Sequence, residues 1–369
     1  MPSQPLQPPA HLRELVQARF AKALAVGDLH YYATQATLLR VGQAHFQLRF
    51  SPALAKKSAG KSQPSSSSPP SHSQSIVDPF AHPSPSLFLS DIGDAHYIVL
   101  NKFAVVSGHF ILATRAFRPQ NHVLEEADLE ATMACIKTYG QHQGQLKEAV
   151  HEHDGLFAFF NSGEHSGASQ PHRHLQFLPV DQMREGLGSE YSSWRVLASQ
   201  GPEAEKQLPF RVFSEEIRLD MAASEVHEVY LRLYRRACRA VRLMREEKDN
   251  QNVSNEKNDA GRIDASSVVD GGIDAAGAGV DDVPLPPEEG PALISYNLGL
   301  TSTRMVLCPR LAEGGPVLDQ DRHEVGRLSL NGTLLAGTAL VKNAVEWDTL
   351  RGQPSGLVDV LRRIGIPKD

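Results

Sequence analysis

The spacing of apolar residues predicts a chain that mixes helices with strands. Leu12, Val16 and Phe20 recur at helical spacing between Pro9 and Gly27 and predict a first helix over residues 10–26. Further helices are predicted at 125–145, 224–244 and 355–364. Alternating or short apolar runs predict strands at 44–50, 96–100, 109–113, 156–160, 172–178, 292–298 and 305–310. Helices and strands in this order favour an α+β fold with an antiparallel sheet and helices packed on one face.

Two stretches break this pattern. Residues from about 58 to 76 are rich in Ser and Pro, and residues from about 248 to 290 are mostly Asn, Asp, Gly, Ala and Ser. Such compositions bury too little apolar surface to offset the entropy of ordering, so both are predicted to be disordered insertions. A Gly- and Pro-containing connection near residue 205 divides the chain into halves at 1–205 and 206–369.

Composition narrows the function classes. The 369 residues are 41% hydrophobic and carry a net charge of −6, which argues against a general nucleic-acid-binding surface. The three cysteines are widely separated and match neither a disulfide framework nor a zinc pattern, which favours an intracellular, cytoplasmic or nuclear compartment. No run of eighteen apolar residues predicts a membrane span, and no secretory signal is expected.

The candidate reactive side chains lie in residues 155–180, a stretch that is predicted to form a strand, a loop and a second strand. With period two, His172, His174 and Gln176 share one face of the second strand, and Arg173, Leu175 and Phe177 share the other. An imidazole nitrogen can attack phosphorus and hold it as a labile phosphoramidate. The pair of histidines could also form a metal site or be hydrogen-bonded surface residues.

The loop before that strand suits phosphate. Gly163 and Gly167 allow close backbone approach, and Ser162, Ser166 and Ser169 supply hydroxyls. The loop is not a Walker motif, because no Gly-Lys-Ser/Thr closes it.

The run NSGEHSGASQPHRHLQFLP resembles the diadenosine tetraphosphate phosphorylases, or ATP adenylyltransferases, in the transferase branch of the histidine-triad superfamily. The runs VLNKFAVVSGHFILATRAFRPQ and YNLGLTSTRMVLCPR resemble the same family. The resemblance implies a histidine-triad/uridylyltransferase-like sheet and cleavage of diadenosine tetraphosphate by inorganic phosphate to ATP and ADP. His174 would be the nucleophile, His172 would orient it, and Gln176 would hold a non-bridging oxygen. Covalent chemistry of this kind needs no redox cofactor, the sequence contains no complete metal site, and two unlike halves in one chain make a monomer sufficient.

The resemblance also nominates substrate-binding residues. Lys56 or Lys57 would reach the phosphates, or each could simply be a solvent-exposed side chain beside the Ser- and Pro-rich segment. Asn101 and Lys102 would contact base, ribose or phosphate, or else form a surface turn. The other candidates lie in the central loop and the C-terminal half: Asn161, Ser166, Gly167, Ala168, Ser169, Asn297, Ser302, Thr303, Arg304 and Arg310. Met305 stands where the family usually has an aromatic residue, which puts a stacking role there in doubt.

Two alternatives stay open at this point. A hexose-1-phosphate uridylyltransferase shares His-x-His-x-Gln, although no sugar-phosphate or zinc pattern accompanies it. A non-catalytic dinucleotide sensor would keep the pocket without turnover, and the intact His174 and Gln176 favour an enzyme instead.

Overall fold

The computed structural model of the chain describes residues 6–42, 44–53, 78–141, 155–188, 194–260 and 286–368, with only the backbone of 252–260. Lys56, Lys57 and the insertion predicted at about 58–76 lie outside these ranges. The helices are α1 Leu12–Ala25, α2 Glu126–Gly140, α3 Val180–Met183, α4 Pro202–Lys206, α5 Ala223–Ala260, α6 Ala344–Gly352 and α7 Ser355–Ile364. Within the described ranges, no helix is both long and apolar enough to cross a membrane.

The strands confirm the mixed α+β fold. They are β1 His30–Tyr31, β2 Gln35–Val41, β3 Ala44–Phe50, β4 Phe88–Ile92, β5 His96–Leu100, β6 Phe103–Ala104, β7 Phe110–Thr114, β8 Leu156–Ser162, β9 His174–Pro179, β10 Phe213–Glu216, β11 Ser295–Leu300, β12 Arg304–Arg310, β13 Gly314–Leu318, β14 Glu324–Ser329 and β15 Thr338–Val341.

Eight strands form the main sheet in the order β10-β12-β11-β8-β9-β7-β5-β4. Every neighbouring pair in it is antiparallel, as the pattern predicted. The predicted strand-loop-strand provides its centre, where β8 and β9 pair with Phe159 opposite Gln176. The sheet draws strands from both sides of residue 205, so the division into two halves stays a prediction.

The central strands are apolar on both faces, and each face has its own cover. Leu175 and Phe177 of β9 join a core with α1, α2 and α5 on one side. Phe157 and Phe159 of β8 join a second core that includes α6, α7 and the three-stranded sheet β2-β3-β15. The expectation of helices on one face was therefore incomplete, because a strand apolar on both sides needs a partner on each.

The start of the second insertion was also predicted wrongly. Helix α5 continues past Lys248 to Ala260 instead of ending before a disordered segment. Glu246, Glu247 and Lys248 are good helix formers, and Arg242 pairs with Glu246 one turn later, so the helix continues after its apolar stripe ends. The rest of the predicted insertion, from 261 to 285, lies outside the described residues.

Candidate active site

His174 opens strand β9 with one ring nitrogen engaged and one bare. Its Nδ1 lies 2.8 Å from the carbonyl oxygen of His172. A carbonyl only accepts hydrogen bonds, so Nδ1 carries the proton and Nε2 keeps its lone pair. Nε2 has no hydrogen-bond partner among the described residues. Burial lowers the pKa of His174 to about 4, against a weaker opposing effect of the hydrogen bond to His172, so the ring is neutral at ordinary pH.

Gln120 fixes the backbone of His174. Its Nε2 donates to the carbonyl oxygens of Asn161 (2.8 Å) and His174 (3.1 Å), and its Oε1 accepts from the His174 N–H at 2.8 Å. This amide fills the gap between β8 and β9 beyond their last paired residues, Phe159 and Gln176. Sequence reasoning missed Gln120, which stands in an irregular stretch with no periodic signal.

His172 is held at both ring nitrogens. Nδ1 lies 2.7 Å from Asp78 Oδ2, and Nε2 lies 2.8 Å from the Thr114 carbonyl oxygen. Burial works against the charged carboxylate, but hydrogen bonds from His172 and from the Phe80 N–H outweigh it, and the pKa of Asp78 is lowered. Neither nitrogen of His172 is free to attack a substrate or bind a metal, and this residue reaches His174 through its carbonyl group.

Gln176 of β9 belongs to a chain of hydrogen bonds with His109, just before β7, and Asn101, just after β5. Its Oε1 lies 3.1 Å from His109 Nε2, and His109 Nδ1 lies 3.0 Å from Asn101 Nδ2. The Oδ1 of Asn101 accepts from the N–H of Phe103 at 3.0 Å. Sequence reasoning placed His109 at the start of a strand and gave it no role. Both polar groups of Asn101 make hydrogen bonds within the protein, and the residue also lines the cavity in front of His174.

A cavity of about 390 Å³ opens in front of His174 and Gln176. Phe80, Val99 and Ile111 contribute apolar walls, and Ser169, Gln170 and Lys102 contribute polar ones. The Phe80 ring centroid lies 4.9 Å from that of His174. An apolar slot beside hydroxyl, amide and ammonium groups suits a ligand with an aromatic base and a charged tail.

The loop residues that were predicted to bind phosphate do not all face the cavity. Ser169 is exposed and lines the cavity, and Ala168 beside it is also exposed. Ser166 is fully buried, and its hydroxyl donates to the Gly163 carbonyl oxygen at 2.6 Å and accepts from Ala168 N–H at 3.3 Å. Ser166 therefore shapes the loop and does not present its hydroxyl to the cavity.

Gly167 is required by its surroundings. Its φ is +75°, and a Cβ there would lie 2.8 Å from the Leu330 carbonyl oxygen and 2.9 Å from Asn331 Cβ. Both the left-handed backbone and the close approach favour glycine. The loop is thereby pressed against the C-terminal part of the chain.

Asn161, Asn297 and Arg310 form a buried network behind this loop. Asn297 Nδ2 donates to Asn161 Oδ1 and to the Ser166 carbonyl oxygen, each at 2.9 Å. Arg310 donates to Asn297 Oδ1 and to three backbone carbonyl oxygens. With exposures of 0–2%, these side chains hold the loop from behind rather than facing the cavity, which differs from the predicted nucleotide contacts.

Ser302, Thr303 and Arg304 are not brought to His174. They form the turn after β11, at the end of the sheet remote from Asn161, and line a separate cavity of about 500 Å³. Arg304 pairs there with Glu205 at 2.8 Å. The sequence run placed these residues close to Asn297, but the extended chain from Asn297 to Leu300, the end of β11, carries the turn away from Asn161 and Asn297.

Arg173 faces the opposite side of the sheet, as the alternation predicted. Its NH1 lies 2.7 Å from Asp128 Oδ2 and 2.9 Å from Glu125 Oε1, at the start of α2. The other Asp128 oxygen lies 2.8 Å from His96 Nε2. This buried cluster anchors the residue between His172 and His174. No group of three metal-ligating side chains occurs in the described part of the chain.

Both halves of the chain match models of one enzyme family. Residues 2–189 match the family model of the Ap4A phosphorylase N-terminal domain, and residues 206–367 match that of the ATP adenylyltransferase C-terminal domain. The chain is 31% identical over 176 residues to diadenosine 5',5'''-P1,P4-tetraphosphate phosphorylase 2 of Saccharomyces cerevisiae, covering 46% of this chain and 50% of that protein. Protein APA1 of the same yeast is 24% identical over 177 residues, covering 47% and 50%. The alignments thus span about half the length of these relatives.

Solved structures share the fold. Yeast Ap4A phosphorylase Apa2 superposes with a TM-score of 0.64 at 21% identity, over 97% of this chain and 98% of that one. Its complex with Ap4A gives a TM-score of 0.64 at 20% identity, and its complex with AMP gives 0.61 at 20%, with the same coverage of both chains.

Proposed function

We propose that this chain converts diadenosine tetraphosphate (Ap4A) and inorganic phosphate to ATP and ADP through an adenylyl-histidine at His174. The chain belongs to the Ap4A phosphorylase and ATP adenylyltransferase family. The observation that carries the proposal is the neutral, buried imidazole whose bare Nε2 stands at the cleft beside Gln176.

The reaction has two displacements at the same phosphorus. His174 Nε2 attacks the α-phosphorus of Ap4A, the bond to the bridging oxygen of the β-phosphate breaks, and ATP leaves with that oxygen. A phosphate oxygen then attacks the same phosphorus, the P–N bond breaks, and ADP leaves. The imidazole is restored with its proton still on Nδ1, held by the His172 carbonyl oxygen.

Charge in the cleft supports a polyphosphate substrate. Lys102 and Ser169 line the cavity and would stabilise charge on the non-bridging oxygens, whereas Asp28, which also lines it, would lie away from the phosphate chain. We assign Lys56 or Lys57, outside the described residues, to the remaining phosphates. Gln176 would donate its amide hydrogens to the oxygens of the transferred phosphoryl group.

Product analysis with and without phosphate tests the proposal. Wild-type protein should form ATP and ADP from Ap4A only when phosphate is present, and His174→Asn should lower the rate by at least about 10³-fold. His45→Asn, at an exposed histidine on β3, is the matched control and should retain the parental rate. Without phosphate, labelled Ap4A should leave an acid-labile, base-stable adenylyl group on the wild-type protein.

Three outcomes would contradict the proposal. AMP and ATP formed without any need for phosphate would indicate a hydrolase. Binding of Ap4A with neither label nor ATP release would indicate a sensor. A parental rate in His174→Asn would remove the nucleophile from the mechanism.

A further inference from the structure

The amide of Gln176 can face the cleft in two ways, and the choice decides its chemistry. With Nε2 outward it donates hydrogen bonds to anionic oxygens, and with Oε1 outward it repels them. Nothing in the order of residues along β9 determines which atom faces out. The hydrogen-bond chain behind Gln176 does determine it.

The donor and acceptor roles along that chain of hydrogen bonds are set by the backbone N–H of Phe103. The backbone N–H of Phe103 can only donate, so the Asn101 atom 3.0 Å from it is Oδ1. The Asn101 amide nitrogen then points to the His109 ring, 3.0 Å from Nδ1 and 3.3 Å from Nε2. An amide nitrogen donates, and Nε2 is engaged by the Gln176 amide at 3.1 Å, so the nearer Nδ1 accepts and carries no proton.

The protonation of the His109 ring determines which atom of the Gln176 amide it contacts. Burial lowers its pKa to about 4, so the ring is neutral and its single N–H proton is on Nε2. Nε2 lies 3.1 Å from the Gln176 amide and must donate to it, which places Oε1 of Gln176 on the inner side. The Gln176 Nε2 has no partner among the described residues, and this side chain lines the cavity.

We infer that His109 is a positioning residue that holds the Gln176 amide with its N–H groups toward the phosphoryl group. The inference rests on the proposed function for its effect on turnover. Its structural content is separate: His109 is a neutral Nε2–H tautomer, while His174, which donates from Nδ1 to a carbonyl oxygen, is the opposite tautomer.

Ring-nitrogen NMR tests the tautomers without any substrate. In ¹⁵N-histidine-labelled full-length protein at neutral pH, with His109→Gln and His174→Asn used for assignment, His109 should show a protonated Nε2 and His174 a protonated Nδ1. A protonated Nδ1 on His109, or a charged ring, would overturn the inference even if the proposed activity were confirmed.

Kinetics of matched variants test the consequence. His109→Leu removes both hydrogen bonds and should lower kcat by about 10–100-fold with little change in KM, by analogy with the loss when the hydrogen-bond partners of metal ligands are removed. His109→Gln offers one acceptor and one donor and should restore most of the loss. Equal losses in the two variants, or an unchanged kcat in a folded His109→Leu, would refute the role.

A double-mutant cycle separates positioning from general stability. If His109 acts through Gln176, then adding His109→Leu to Gln176→Ala should lower kcat no further. Full additivity of the two losses would show that His109 acts elsewhere. An inactive wild-type protein would refute the proposed function alone, because the NMR result decides the tautomer independently.

Discussion

The pH at which His174 becomes protonated is the sharpest test of the site. Only the unprotonated imidazole can attack phosphorus, so the attack rate should fall as pH drops through the pKa of this ring. Burial lowers that pKa from the ordinary 6.5 to about 4. At pH 5 a ring with a pKa of about 4 is about 90% neutral, and a ring at 6.5 is about 3% neutral, a difference of about 30-fold in reactive enzyme.

The assay should isolate the first displacement. Release of ATP in a single turnover without inorganic phosphate avoids the titration of that second substrate. Its rate should stay nearly constant from pH 8 to pH 5 and fall only near pH 4. A midpoint near 6.5 would refute the argument that burial keeps His174 neutral.

Acid unfolding is the main confounding effect, and its sign is known. His174 and His109 both have pKa values lowered to about 4, so the unfolded chain binds more protons than the folded one between about pH 4 and 6.5. The fold therefore loses stability on acidification across that window. Circular dichroism at each pH, and recovery of the full rate after return to pH 7, distinguish protonation of His174 from unfolding.

Three further predictions concern the support of the site. Asp128→Ala leaves Arg173 buried without its closest partner and should lower the free energy of unfolding by about 3–5 kcal/mol, measured by urea titration. The control Glu126→Ala, at an exposed residue in the same helix turn, should change that free energy little. Gly167→Ala should destabilise by about 1–3 kcal/mol more than Gly27→Ala, because Gly27 also has a positive φ, at the left-handed cap of α1, but has open space at Cβ. Equal melting temperatures of the two variants would contradict this. Arg304→Ala should leave KM for Ap4A within about threefold of wild type, since this residue lines the other cavity, and a large rise in KM would place it at the substrate.

The alternation of β9 made the reactive face predictable. Period two puts His174 and Gln176 on one side and Arg173 on the other, and the structure has them there. The residues that hydrogen-bond to His174 and Gln176 could not be predicted from this alternation. His109 is 67 residues and Gln120 is 54 residues from the groups they contact, and these contacts depend on which strands become neighbours.

A weaker signal did exist for some of these supports. A histidine inside an apolar run, such as His109 before FILA, is buried in a strand and must find a hydrogen-bond partner there. That argument requires a partner without naming it. The C-terminal candidates show the complementary effect: Asn297 and Arg304 are close in sequence, but Asn297 pairs with Cys308 within the β11-β12 ladder and Arg304 lies beyond its last pair, Leu300 and Met305.

The position of the His174 nitrogen depends on groups from both faces of the sheet. Because side chains alternate, the residue between the two histidines must point into the core on the α2 side, and here it is Arg173, held at 2.7 Å by Asp128. The backbone on either side of Arg173 carries the two groups that matter most: the His172 carbonyl oxygen that sets the tautomer and the His174 N–H held by Gln120. A buried ion pair on one face thus fixes the peptide units that orient a neutral ring on the other. Asp128 compensates the charge of Arg173 on that opposite face, so a buried arginine can be the next residue to a nucleophile that must remain uncharged.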